Sequence, residues 1–143
     1  AVSFEERLAH IAATPRPSPK PKVYFEEWDD PLISGIGWVS ELIEIAGGED
    51  ALPKLRFQQA AKDRIIAPDV VREAAPDVIL ASWCGKKVVP ERIRQRPGWN
   101  DIPAVRNNRI VEIKSTIILQ PGPAALTDGL DAIVKALWAE ANS

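Results

Sequence analysis

The stretch Lys22-Val-Tyr-Phe-Glu-Glu-Trp-Asp-Asp-Pro-Leu-Ile-Ser-Gly-Ile-Gly-Trp-Val-Ser-Glu-Leu-Ile-Glu-Ile-Ala-Gly-Gly48 decides how the rest of the chain reads. Val23-Tyr-Phe is a short apolar strand, and the residues after it, with Trp28 and Pro31, form an irregular turn. Gly35 to Ala46 then reads as a helix, because Trp38, Leu42, Ile45 and Ala46 recur at helical spacing. Gly47 or Gly48 supplies the left-handed residue that ends it. A strand that delivers its loop to the start of a helix is the unit that builds a ligand mouth in open α/β sheets.

Working outward, the same alternation continues. Pro68 stands where the first turn of a short helix begins, Asp69 is favourably placed near its positive end, and Pro76 stops it. Asp77-Val-Ile-Leu-Ala-Ser is a near-continuous apolar run, the pattern of a strand buried on both faces. Trp83-Cys-Gly-Lys-Lys is its loop, and Val89 to Arg96 a polar helix closed by Arg96-Pro-Gly-Trp. Asn107-Asn108 marks a turn that tolerates positive φ, and Arg109-Ile-Val-Glu-Ile the next strand. A second irregular loop, 116–123, leads into a last helix over 124–141. A short strand is expected near Arg56-Phe57-Gln58. Ahead of all this, residues 3–13 read as a helix with a Ser3/Glu6 capping box. Alternate prolines over 14–21 form an extended tether. The sum predicts a three-layer α/β fold with a mainly parallel sheet, its ligand edge formed by 26–32, 82–86 and 114–122.

Composition narrows the chemistry. The chain has 143 residues, one domain's worth, and 45% of them are hydrophobic, enough for a core. A net charge of −2 argues against broad binding to nucleic acid. No apolar run reaches the roughly eighteen residues of a membrane span. The first residues lack a basic region followed by an apolar core, and read as the start of a processed or truncated chain. One cysteine, Cys84, excludes internal dithiol exchange, and the single histidine, His10, lies ahead of the tether, so a Cys–His nucleophile is not expected. One His and one Cys make no nitrogen–sulfur metal cluster. Glu26, Glu27, Asp29 and Asp30 read as a solvated acidic loop. Gly35-Ile-Gly37 lacks the third glycine of a dinucleotide fingerprint. No cofactor and no catalytic residue is expected.

Five tryptophans are many for this length, and Trp28 and Trp83 fall on the predicted ligand edge. There they form either a flat apolar wall for a large ligand or core plugs at the end of the sheet. Trp38 and Trp138 lie on apolar helix faces and read as core. Asp69 is a first-turn charge or a docking point for a basic partner.

The ordered set Val23-Tyr-Phe-Glu, Gly37-Trp-Val-Ser-Glu-Leu-Ile-Glu-Ile-Ala-Gly-Gly-Glu, Ala74-Ala-Pro-Asp-Val-Ile-Leu-Ala-Ser, Arg96-Pro-Gly-Trp, Ala104-Val-Arg-Asn-Asn-Arg-Ile-Val, Gln120-Pro-Gly-Pro and Asp128-Gly-Leu resembles the carboxy-terminal lobe of cobalamin- and siderophore-type substrate-binding proteins of ABC importers. Trp83-Cys-Gly looks most like the cobalamin branch. The resemblance implies two α/β lobes joined by a rigid helix, with the ligand clamped between them. Residues 1–21 would be the end of that helix plus the tether, and 22–143 the ligand-binding lobe. It implies ligand contacts from Glu26, Trp28, Pro31, Trp83, Cys84, Ile117, Leu119 and Gln120, and docking of Asp69 on the permease. It also implies a periplasmic or extracellular, lipid-anchored whole protein. The expected ligand is a corrinoid, with a ferric siderophore or haem as the alternative in the same class and a small Cys84-dependent enzyme as the outside one. Lys86 and Lys87 without an arginine at the edge favour cobalamin over an anionic siderophore. A half-cleft bearing tryptophans predicts self-association.

Overall fold

A computed structural model describes residues 6, 9, 20–29, 32–34, 37–52, 65–83, 86–113 and 123–138. The strands are β1 (Lys22–Asp29), β2 (Leu32–Ser34), β3 (Glu49–Asp50), β4 (Ile65–Ile66), β5 (Val78–Ala81) and β6 (Ile110–Glu112). The helices are α1 (Gly37–Ile45), α2 (Pro68–Ala74), α3 (Pro90–Arg94), α4 (Pro103–Arg106) and α5 (Pro123–Trp138), with a 3-10 turn at Trp99–Asp101. The strands form one sheet in the order β4-β2-β1-β5-β6, and β3 pairs with the start of β1.

The β1–β5–β6 centre is parallel, as the apolar run of β5 predicts. All four β5 residues are buried. The register puts Val23 opposite Val78, Tyr24 opposite Ile79, Phe25 opposite Leu80 and Glu26 opposite Ala81. Successive side chains point to opposite faces, so these pairs split between two cores. Val23, Phe25, Val78 and Leu80 pack with Val39, Leu42 and Ile43 of α1 and Leu130, Ile133 and Leu137 of α5. Tyr24, Ile79 and Ala81 pack on the other face with Val71, Ile93, Trp99, Ile102 and Ala104. The result is the expected three-layer α/β lobe. Trp138 is half-buried and its indole donates to the Ala46 carbonyl at 2.7 Å, tying α5 to the end of α1.

Local signals match at the helix ends. Gly47 has φ 96, and the Gly48 amide returns to the Ile43 carbonyl at 2.9 Å, closing α1. Asn108 takes φ 55. Ala75, just before Pro76, takes φ 50 at the end of α2.

The main departure lies after Phe25. β1 runs on to Asp29 and folds back antiparallel on β2, with Trp28 opposite Ile33 and a register shift between Glu26 and Trp28. An aromatic facing a β-branched residue is a favourable cross-strand pair, and it draws half of the expected turn into the sheet. β4 extends this antiparallel wing through Leu32 and Ile33. β3 and β4, two residues each, are too short to leave a periodic signal. The strand expected near Phe57 and the tether lie outside the described residues, as does the first helix apart from Glu6 and Ala9, which are helical.

Candidate functional site

The carboxyl ends of β1 and β5 converge on Glu26. Its side chain points to the Tyr24 face and is 0% exposed. Oε1 accepts the Tyr24 hydroxyl at 3.0 Å and Arg96 Nη1 at 2.6 Å. Oε2 accepts the Trp83 indole Nε1 at 2.8 Å and Arg96 Nη2 at 3.0 Å. The carboxylate therefore has two donors on each oxygen and a forked guanidinium partner, which is what a charge at that depth requires. The Arg96 guanidinium lies 4.5 Å from the centre of the Trp99 ring, and Tyr24 meets Trp99 edge-on at 6.3 Å. Burial, then the charge and hydrogen bond of Glu26, hold the Tyr24 phenol well above its ordinary pKa, with Arg96 pulling the other way.

Above this buried network lies a layer of rings and cations. Lys86 Nζ is 4.8 Å from the Trp28 ring centre and 5.0 Å from that of Trp83. The Arg92 guanidinium stands 5.5 Å from the Trp83 ring. Both cations are exposed to solvent, Trp28 is half-buried and Trp83 is buried. Such contacts hold ammonium and guanidinium groups over the negative faces of indoles. The segment carrying Lys86 is fixed by backbone bonds. The Ser82 amide donates to the Glu26 carbonyl at 2.9 Å, Lys86 to Trp83 at 2.8 Å, and Val88 to the Glu112 carboxylate at 2.9 Å. Behind it, Arg94 of α3 bonds both Glu91 and Asn108. Among the described residues, no three His, Cys, Asp or Glu side chains gather as a metal site. No helix among them is long and apolar enough to cross a membrane.

A model of a periplasmic binding protein family matches residues 3–117. The chain belongs to this periplasmic binding protein family. Solved structures agree on the fold. A possible iron-binding periplasmic solute-binding protein of Staphylococcus epidermidis superposes with a TM-score of 0.73 at 18% identity, over 94% of this chain and 54% of that one. A periplasmic haem-binding protein of Roseiflexus gives 0.68 at 25% identity, over 94% and 54%. A protein of an ABC-type Fe3+-hydroxamate transport system from Saccharomonospora viridis gives 0.73 at 19%, over 95% and 47%. The chain thus spans about half the length of these solved relatives, the share of one lobe in a two-lobed binding protein. A comparison with curated protein sequences found no match.

For a periplasmic binding protein lobe, the expected ligand edge needs two corrections. Glu26 is not a solvated acid of the mouth. It is enclosed, and its hydrogen bonds are directed into the lobe. Trp83 is not an open wall, since it is 1% exposed, roofed by Lys86 and Arg92 and bonded from below by Glu26. Trp28 lies half-buried near the carboxyl end of β1, beside Lys86. Pro31, Cys84, Ile117, Leu119 and Gln120 lie outside the described residues. Asp69 sits in the first turn of α2, exposed, with Arg72 at 3.5 Å.

Sequence reasoning missed Arg92 and Arg96. Arg92 brings an arginine to an edge whose expected cations are Lys86 and Lys87. Arg96 is paired 70 residues away in sequence. One signal was available: a glutamate directly after the apolar Val23-Tyr-Phe demands a cationic partner once the strand is buried.

Proposed function

We propose that this protein is the substrate-capturing component of an ABC importer, working outside the cytoplasm, and that its ligand is an iron chelate, either haem or a ferric siderophore. The observation that carries the reading is the pair of exposed cations, Lys86 and Arg92, held over the indoles of Trp28 and Trp83 at the carboxyl edge of the sheet. The half-buried Trp28 ring offers an apolar face, and the cations over the buried Trp83 ring offer counter-charges for the acidic groups of a bulky chelate. The family match and the haem and Fe3+-hydroxamate relatives support the same class. The corrinoid expectation draws on the Trp83-Cys-Gly resemblance and on an edge without arginine. Arg92 over Trp83 takes away the second support, and the relatives named above bind haem or belong to an Fe3+-hydroxamate system. Capture is binding and release, with no bond made or broken. Asp69, exposed at the head of α2, is the proposed contact with the permease.

Charge reversal at the mouth tests this reading. In Lys86→Glu/Arg92→Glu, affinity for the iron chelate falls more than about tenfold, the scale of one lost charge contact, while the unfolding midpoint stays near that of the wild type. Unchanged chelate affinity in the folded double variant refutes the assignment of the mouth.

A further inference from the structure

The Glu26–Arg96 pair sits directly beneath the proposed mouth. It is a poor device for stability, because apolar residues of similar volume hold a core equally well or better than a buried ion pair. It is a good device for direction. A carboxylate held by a fork on one side presents its remaining lone pairs along fixed lines, and one of them takes the Trp83 Nε1 proton at 2.8 Å. That bond anchors the Nε1 edge of the ring on which Lys86 and Arg92 rest. Glu26 also holds the second loop. Its carbonyl accepts the Ser82 amide at 2.9 Å, and the register shift that turns the strand toward Trp28 begins at Glu26 itself. The Ser82 bond belongs to the main chain and holds whatever the side chain; the Glu26 carboxylate adds to it the bond to Trp83.

We infer that Glu26 and Arg96 are positioning residues of the ligand mouth, fixing the Trp83 indole and through it the placement of the Lys86 and Arg92 charges. This rests on the mouth being the chelate site. The pair touches no ligand; it determines where the groups that do so stand.

The test combines a spectroscopic and a binding measurement on the full protein. The Trp83 indole N–H resonance is identified by its loss in Trp83→Phe. In the wild type it lies far downfield and exchanges slowly, as a proton held by a buried carboxylate does. In Glu26→Gln it moves upfield and exchanges at least about tenfold faster, and affinity for haem and for a ferric trihydroxamate, the two probes used, falls about tenfold or more. Arg96→Lys keeps a cation against Glu26 but not the fork, and gives a second folded variant with a smaller shift in the same direction. Val71→Ala opens a cavity in the same core layer without removing any hydrogen bond of the network, and leaves both the resonance and the affinity unchanged. A resonance unmoved by Glu26→Gln and Arg96→Lys overturns the inference alone. So does an affinity loss in Glu26→Gln no greater than in Val71→Ala. A wild type that binds neither chelate overturns the reading of the mouth, and with it the claim that the pair serves a ligand.

Discussion

Replacing Arg96 by methionine isolates the energetics of the buried pair. Methionine retains most of the apolar volume and removes the fork. Glu26, 0% exposed, then loses two charge-assisted hydrogen bonds of 2.6 and 3.0 Å and keeps only the Tyr24 hydroxyl and the Trp83 indole. Leaving one member of a buried pair without its partner costs about 3–5 kcal/mol. Loss of the guanidinium over the Trp99 face, 4.5 Å from the ring centre, lies within that figure. With a urea slope of about 1–3 kcal/mol per molar for a small protein, the midpoint falls by about 2 M. The informative comparison is Glu26→Gln/Arg96→Met. A neutral amide no longer needs the cation, so the double variant is more stable than the sum of the two single losses by about 2 kcal/mol, the scale of coupling between touching residues. The assay is urea unfolding followed by tryptophan fluorescence. A loss below about 1 kcal/mol in Arg96→Met, or single effects that add to within about 0.5 kcal/mol, refutes the account of Glu26 as a carboxylate dependent on Arg96.

Three further outcomes follow from particular contacts. Tyr24 is the chain's one tyrosine, so ultraviolet absorbance of the phenolate reports it alone. Because the native phenol holds its proton above the ordinary value of 10.0, the native chain binds more protons than the unfolded one above that pH. Its contribution to stability is intact below about pH 10 and declines as pH rises further; a native titration midpoint at 10 contradicts this. Gly98→Ala places a Cβ at φ +81, 2.5 Å from Arg72 Nη1, and the mobile guanidinium can shift away. The cost is then the left-handed backbone, about 1 kcal/mol in thermal unfolding. Gly48→Ala meets Ile43 and Leu137 at 3.0 Å and Val23 at 3.1 Å in the packed α1/α5 core, and costs about 1–3 kcal/mol by overpacking; a neutral result would show that this core yields.

Much of this lobe is legible in the residues. The apolar run of β5, the proline-initiated α2 and the glycines ending α1 are local signals, each fixed by burial or backbone geometry within a few positions. The antiparallel wing is not legible, because β4 has two residues and the Trp28–Ile33 pairing depends on a reversal that reads simply as a turn. The site was half legible. Trp28 and Trp83 stand together at one edge of the sheet, as their loops imply, but the sequence holds no trace of which indole is roofed by cations. The Glu26–Arg96 bond joins residues 70 apart and depends on α3 and the Trp99 turn packing against the sheet. The resulting difference is chemical: among the described residues of the edge, Glu26 is buried on Arg96 rather than solvated, and Arg92 joins Lys86 over the Trp83 ring.

The central claim is that this family member captures an iron chelate. It is tested most directly by calorimetric titration of the full-length protein with haem, a ferric trihydroxamate and cobalamin under one set of conditions. The account predicts that one of the iron chelates binds with micromolar or tighter affinity, about 8 kcal/mol or more, and that cobalamin does not. Tight binding of cobalamin with no heat from either iron chelate would contradict it.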